Sequence, residues 1–428
     1  MGDGSQWRAK EITEENEKRN NQKPDMKPKI LILMHYMELG GAESALLGLL
    51  QSVDPERADV DVFIYSHRGE LMRYLPKDKV RLLDEIEAYS LTEKPLVEVV
   101  RKGYMRLALM RLIGRWRAGR YCKVINDVDK PFEGGPFFQQ RMTWRVLPDI
   151  QPGVEYDLAI NFMTPHFVLL NRVKARKKVG WIHTDYTRIS IDVPAETKMW
   201  ERLDMIASIS EEVGNKFCEV FPSLRGKLVQ IENILNSAFV RKRAGEFDVE
   251  WKDDASVLKL LTIGRYSPPK RMEIIPSICR GLKEAGIAVR WYIIGYGSTD
   301  IENAVRENMR KEGVEEQVIL LGKKDNPYPY IQACDMYVQP SKYEGKSITV
   351  REAQILGKPV VITNYPTAKS QVDDGVDGVI VPLDVDGCTA AMADFLKDKE
   401  KQERIAGYLH LHDYGNEDEI EKIYALAR

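Results

Sequence analysis

Nowhere in the 428 residues does an apolar run approach the roughly 20 residues that a helix needs to cross a bilayer. The first 27 residues are polar and charged and carry no signal-peptide core, so 1–27 read as a mobile leader and a cytoplasmic setting is expected. Cysteine is scarce: Cys122, Cys218, Cys279, Cys334 and Cys388 are scattered, with no CxxC pair and no closely spaced His. That argues against a disulfide framework and against structural zinc. Net charge is nearly absent too, 63 Lys+Arg facing 65 Asp+Glu. No global field draws the chain to nucleic acid, and any charged partner must be met locally. The turn after the first strand lacks the G-x-G-x-x-G pattern of a nicotinamide-dependent dehydrogenase. DVD occurs at 59–61, 127–129 and 384–386, but reads as an alternating strand and as solvated acids, so neither metal nor cofactor is expected.

What the chain does contain is a repeated alternation of buried-strand and helix patterns. "KPKILILMHYM" has the continuous apolar density of a parallel strand buried on both faces, and "ELGGAESALLGLLQSV" follows with a tight turn and helical spacing. "ADVDVFIYS", "YDLAINFM", "KKVGWIH" and "MIASIS" continue the series. A second series runs through "VLKLLTIGRY", "VRWYIIGYG", "QVILLG", "DMYVQPS", "PVVITNY" and "GVIVP". The expected fold is α/β, two doubly wound Rossmann-like domains at 28–240 and 257–395. A charged linker is expected near 238–256, and helices over 396–428 are expected to pack back on the first domain. One insertion breaks the charge balance: residues 101–123, "RKGYMRLALMRLIGRWRAGRYCK", contain eight Lys or Arg and no acid. It reads as a basic amphipathic helix, either packed on its own domain or meeting a membrane surface or an anionic lipid-linked acceptor.

The chemistry concentrates in "SKYEGKSITVREAQILGKPVV". Ser347 is a suitable N-cap for a helix starting at Ile348, and the free N–H groups of that turn, through Thr349, suit an anion such as a diphosphate. Glu344 precedes the Gly345 turn and can reach the mouth of a cleft. Glu352 falls one turn into the helix, where it can accept hydrogen bonds from ribose hydroxyls. Strand-to-loop sequence before the motif and helix-to-strand sequence after it place the site at the carboxyl ends of a parallel sheet.

This block resembles the donor-binding motif of glycosyltransferase family 4, retaining enzymes of the GT-B fold, whose two domains face each other across a cleft. "GRYSPPKR" is similar to the family's Gly-Arg strand end with a Lys five residues on. The resemblance gives Arg265 and Lys270 the role of holding the leaving diphosphate, whose developing charge fixed cations stabilise. "GGAES" resembles the glycine-rich turn after the first strand, where Gly40 and Gly41 let the backbone approach the ligand. "WIHTDY" resembles the segment facing the transferred sugar, which makes His183 a candidate and Asp185 a weaker one. "LGKKDNPYPY" sits where the family meets the nucleotide base, through backbone at Gly322, Lys323 and Lys324. "GYGS" at 295–298 suits close backbone approach or an ordinary turn. After the strand at 360–363 the family often has a glycine pair and Pro-Glu, whereas this chain has "NYPTAKSQ".

The resemblance implies transfer of a hexosyl or N-acetylhexosaminyl group, with retention, from a nucleotide sugar to a glycan or lipid-linked acceptor. UDP is the commonest donor base of the family. The style of "YEGKSITVREAQILGKPVVITNYP" is similar to bacterial enzymes of surface polysaccharide synthesis. A nucleotide-sugar epimerase on the same fold, or a non-catalytic sugar-nucleotide-binding protein, would share the donor cleft and differ in products.

Overall fold

The computed structural model describes residues 27–124, 130–249, 251 and 256–428. The leader over 1–26, the DVD at 127–129 and part of the expected linker lie outside the described residues.

The expected pair of doubly wound domains is present. The first sheet contains β1 (Lys29–Met34), β2 (Asp59–Ile64), β3 (Arg81–Leu82), β4 (Tyr156–Asn161), β5 (Ala175–Ile182), β6 (Met205–Ser208) and β7 (Leu228–Gln230). They lie in the order β3-β2-β1-β4-β5-β6-β7, all parallel. The second contains β8 (Leu258–Tyr266), β9 (Val289–Gly297), β10 (Val318–Gly322), β11 (Met336–Gln339), β12 (Val360–Thr363) and β13 (Val379–Val381), parallel in the order β10-β9-β8-β11-β12-β13. Residues Ile30 to Met34 are at most 1% exposed, as their unbroken apolar run requires. The edge strands β3 and β7 are only two and three residues long, too short for an apolar run to announce them. The "GYGS" segment belongs partly to β9, which runs to Gly297, instead of following the strand. In each sheet the winding reverses once, between β1 and β4 and between β8 and β11, and such reversals open a crevice at the carboxyl ends.

Seven helices carry the rest of the account: α1 (Gly41–Gln51), α2 (Met105–Val124), α3 (Gly135–Thr143), α4 (Ser237–Ala244), α5 (Ile348–Ile355), α6 (Lys399–Leu411) and α7 (Ile420–Ala427). The basic insertion forms α2, but the expected amphipathic division fails. Its inward side holds Leu107, Ala108, Gly114, Ala118 and the buried Arg111, whose Nη1 donates to the carbonyls of Leu91 and Lys94 at 2.8 and 2.6 Å. A Cβ on Gly114 would lie 2.8 Å from Gln139 Cα, so only glycine lets α2 approach α3 this closely. Four large apolar side chains face outward instead: Met105, Leu109, Leu112 and Trp116, spaced as one helical stripe, are 52–60% exposed.

The domain crossings differ from the expected boundaries. Leu235, and Val240 and Ala244 of α4, already belong to the second core, so the chain changes lobe at 234–235 and not within 238–256. Ile405 and Leu409 keep α6 in the second core as well. Only α7 returns, burying Ile420, Ile423, Tyr424 and Ala427 in the first core. The reason is apolar spacing: α6 matches its own lobe, and the polar stretch 412–419 makes the return. The two crossings are stitched together. Leu235 N donates to Asn416 Oδ1 at 2.8 Å, Asn416 Nδ2 to Asn233 O at 3.1 Å, and Ser237 N to Glu417 Oε1 at 2.6 Å.

Tyr424 secures α7, since it is 3% exposed and its hydroxyl accepts from Asp54 N at 2.8 Å. Tyr424→Phe is expected to cost about 1 kcal/mol by leaving that N–H unpaired. Tyr424→Ala is expected to cost about 3–5 kcal/mol, as for other buried aromatic truncations. Urea unfolding reads both; an alanine variant no weaker than the phenylalanine variant would show that α7 contributes no packing.

Candidate active site

Both crevices open onto one interlobe cleft with a cavity volume of about 360 Å³. From the first lobe it is lined by Gly40 and Gly41 and by His183. From the second come Arg265, Lys270, Lys323, Lys324, Glu344 and the segment from Gly345 through Ile348 and Thr349 to Glu352. Gly322 closes β10 with φ +67°, a left-handed turn that leads into Lys323 and Lys324 of the cleft lining. Asp185 stands outside that lining. It caps a short turn by accepting from Thr187 N at 2.9 Å and pairs with Arg188, whose guanidinium lies 4.1 Å from the Tyr343 ring centroid. Asp185 thus braces the loop before Glu344 from outside the cleft.

Two helix starts face this space. α1 begins at Gly41, and its N-cap Gly40 has an extended backbone and no side chain to occupy the first-turn N–H groups. A Cβ on Gly40 would come within 2.2 Å of Glu43 Oε2 and 3.2 Å of Arg265 Nη2, so glycine here keeps space that both side chains need. α5 begins at Ile348 as expected, but Ser347 is not a side-chain cap. Its Oγ lies 3.1 Å from Thr349 Oγ1, and its own N–H donates to Gln371 Oε1 at 3.1 Å. The first-turn N–H groups of α5 are therefore left for another acceptor.

The acids behave differently from one another. Glu344 Oε1 accepts from Lys270 Nζ at 2.7 Å, Ser341 Oγ at 2.5 Å and Gln339 Nε2 at 3.1 Å, so it is fixed and ionically paired. Among the described residues no carboxylate reaches Arg265 within ion-pair distance. Glu352 is buried, and its Oε1 accepts from Tyr328 Oη at 2.8 Å. Burial pushes its carboxyl up to about 7, opposed by the Tyr328 hydrogen bond and by Arg243. Burial likewise raises Glu43. His183 Nε2 lies 3.0 Å from Phe162 O, so that nitrogen carries the hydrogen; burial lowers the ring to about 4, leaving it neutral with Nδ1 as an acceptor.

Several cleft residues escaped sequence reasoning. Arg243 sits in the charged stretch read as linker, yet it is 2% exposed, with its guanidinium 3.5 Å from the Tyr74 ring centroid and 5.3 Å from that of Tyr328. A burial signal existed in its helical spacing with Val240 on α4, but charge density masked it. Other residues close the cleft across the lobes: Lys323 pairs with Glu70, Arg73 with Asp325 at 3.2 Å, Lys346 with Glu232, and Tyr296 donates to Leu39 O. Of the DVD sites, β2 uses Asp61 structurally, accepting from Arg81 Nε and Tyr156 Oη, each at 2.7 Å.

Residues 246–409 match the family model for Glycosyl transferases group 1. The amylovoran biosynthesis glycosyltransferase AmsK of Erwinia amylovora is 27% identical over 133 residues, 29% of this chain and 32% of that protein. The chain spans about 30% of the length of the first curated relatives it matches. A longer alignment, 22% identical over 83% of this chain and 86% of the relative, pairs it with the N-acetylgalactosamine-N,N'-diacetylbacillosaminyl-diphospho-undecaprenol 4-alpha-N-acetylgalactosaminyltransferase of Campylobacter jejuni. The crystal structure of Anabaena HepE in complex with UDP and glucose aligns with TM-score 0.62 at 16% identity, over 92% of this chain and 98% of that one. The fold is accordingly GT-B.

The raised carboxyl of Glu352 carries a sign that can be checked. Its folded value of about 7 lies above the ordinary 4.5, so the cost of its burial is absent near pH 4.5 and grows as pH rises through 7. Glu352→Gln is expected to stabilise the free protein at pH 8 by on the order of 3 kcal/mol, with the gain vanishing near pH 4.5. Thermal unfolding at the two pH values measures this, and a pH-independent difference would overturn the assignment.

Proposed function

We propose that the chain is a retaining glycosyltransferase that takes a hexosyl or N-acetylhexosaminyl group from a UDP-sugar and passes it to a glycan or lipid-linked saccharide in surface polysaccharide synthesis. The observation that carries this reading is the convergence of two uncapped helix starts with Arg265 and Lys270 on one cleft that also holds the buried Glu352. A diphosphate satisfies all four positive elements at once. Glu352 would accept from the ribose hydroxyls, and backbone around Lys323 and Lys324 would meet the base.

In the transfer step the bond from the sugar's anomeric carbon to the β-phosphate oxygen breaks, and its electron pair leaves with the UDP. The acceptor hydroxyl oxygen bonds to the same face of that carbon, and its proton passes to the departing phosphate. Arg265, Lys270 and the α5 N-terminus stabilise the charge that grows on the leaving group. Glu344 holds Lys270 in place and orients the sugar. His183, neutral, offers Nδ1 to a sugar hydroxyl. The group 1 match and the transferase relatives favour transfer over epimerisation or binding alone. The UDP in HepE supports the donor class. The diphospho-undecaprenol in the name of the Campylobacter relative supports a lipid-linked acceptor.

Such an acceptor would bring the chain to a membrane, and the outward stripe of α2 suits that surface. Met105, Leu109, Leu112 and Trp116 are exposed, with Arg106, Arg115, Arg117 and Arg120 beside them, and an anionic interface takes both kinds of group.

Lys270→Ala is expected to lower kcat about 100-fold, within the range for loss of one leaving-group stabiliser. Glu344→Ala should fall as far, because it frees Lys270. UDP release from UDP-sugar in the presence of a lipid-linked saccharide fraction reads both, and a folded Lys270→Ala variant with unchanged turnover would overturn the reading. On the membrane side, the double variant Leu109→Asp, Trp116→Asp should abolish co-sedimentation with phosphatidylglycerol vesicles at low salt while UDP binding persists. Unchanged sedimentation would remove α2 from that role.

A further inference from the structure

The segment 364–371, "NYPTAKSQ", is where the chain departs from the glycine pair and Pro-Glu of the family it resembles. It leaves the carboxyl end of β12 and contributes nothing to the lining of the donor cleft. Yet two of its polar side chains are buried, Thr367 at 2% and Gln371 at 4% exposure. Buried polar groups are nearly always paired, so their partners show what the segment holds. Thr367 Oγ1 donates to Glu344 O at 2.9 Å. Gln371 Oε1 accepts from Ser347 N at 3.1 Å, and its Nε2 donates to Ser347 O. Thr363, the last residue of β12, donates in the same way to Ser341 O. Thr363, Thr367 and Gln371 thus hold Ser341, Glu344 and Ser347 in step, each by its main chain. Gripping backbone fixes the path of the turn and leaves the side chains of Glu344 and Lys346 to the cleft, which both of them line.

At Ser347 the grip has a further effect. A serine at a helix N-cap ordinarily turns its hydroxyl back onto a first-turn N–H, which steadies the start and occupies that donor. Ser347 does not, its hydroxyl lying 3.1 Å from Thr349 Oγ1. Gln371 steadies the same residue through its backbone instead. An N–H and a carbonyl admit one orientation of the amide, oxygen to the first and nitrogen to the second. Both lone pairs of Gln371 Oε1 are then taken, one by Ser347 N and the other by Tyr365 Oη at 2.9 Å, so the amide competes for none of the N–H groups of the first turn. The start of α5 is held without being filled.

We propose that Gln371 is a positioning residue for the donor: by holding the backbone of Ser347 it keeps the first turn of α5 fixed and open to a diphosphate, where a side-chain cap would fix the turn only by blocking it. The inference rests on the transferase reading and adds to it a residue outside the cleft on which diphosphate affinity depends.

Calorimetric titration of UDP into the full chain at pH 8 and pH 5 tests this, with the melting temperature of each variant taken alongside. Gln371→Met keeps the length of the side chain and loses its bonds to Ser347, and is expected to weaken UDP binding about tenfold at either pH. Gln371→Glu, ionised at pH 8, still accepts from Ser347 N but cannot donate to Ser347 O, and sets a negative charge behind the helix start. It should bind UDP about tenfold more weakly than the wild type at that pH. Burial favours protonation, and the protonated carboxyl donates as the amide does, so at pH 5 the ratio to wild type should return to within about threefold. The ratio is taken at each pH because Glu352 also titrates in this range, whereas Tyr365, raised by burial, stays neutral across it. A merely structural Gln371 would lower the melting temperature of both variants and leave UDP affinity unchanged, and that result overturns the proposal. So does a Gln371→Glu variant equally weak at both pH values. Should Gln371→Glu fail to fold, Gln371→Met decides alone. Wild-type protein that binds no UDP would sink the donor reading itself, whereas wild-type binding with undiminished affinity in the variants sinks only this inference.

Discussion

The contact on which the cleft depends is the ion pair between Lys270 and Glu344, 2.7 Å apart. Lys270 follows β8 and Glu344 follows β11, adjacent strands at the reversal of the second sheet. Their pairing joins the two loops that flank the crevice and sets its width. Alone, a partly buried ion pair is weak evidence of stability, since desolvation cancels much of the attraction. Here the carboxylate is further satisfied by Ser341 and Gln339, which holds the lysine at a defined place. Arg265, on β8 itself, has no carboxylate partner among the described residues. The cleft therefore contains one cation held in an ion pair and one that is not.

Closure of the lobes has the opposite character. Lys323 with Glu70 and Arg73 with Asp325 are solvent-exposed pairs, each worth about 0–1 kcal/mol and screened by salt. Arg243 against Tyr74 is better buried, but it lies beside the crossing at 234–235, where a hinge displaces atoms least. The two crossings are stitched by hydrogen bonds from Leu235, Asn416 and Ser237. Strong contacts thus concentrate at the pivot and weak ones at the rim, the arrangement a cleft needs if it is to admit a large polar ligand and then exclude water.

How much of this was legible in the sequence follows from which interactions are local. Apolar runs such as Ile30 to Met34 and the strand-loop-helix order around Glu344 are local, and they located both sheets and the segments that meet in the cleft. Edge strands β3 and β7 were invisible because two and three residues are too few to show a periodic pattern. Arg243 and Arg111 misled for one reason: charge on the chain was read as charge in water. Their burial depends on carbonyls and rings tens or hundreds of residues away, Leu91 for Arg111 and Tyr74 for Arg243. Ser347 marked the helix start correctly, yet its hydroxyl turned to Thr349, a choice no sequence pattern distinguishes.

For α2 the local reading left two placements open, packing on its own domain or meeting an outside surface. Its inward side buries Leu107 and Arg111 beside the small Ala108, Gly114 and Ala118, and α3 comes too close for any side chain at Gly114. Met105, Leu109, Leu112 and Trp116 are left on the outer side, exposed. Leaving Met105, Leu109, Leu112 and Trp116 in water costs free energy that a packed α2 would recover by turning them in. A fold that forgoes this at four positions on one stripe, and holds Arg111 beneath it on the carbonyls of Leu91 and Lys94, ties the outer surface to the interior through one helix.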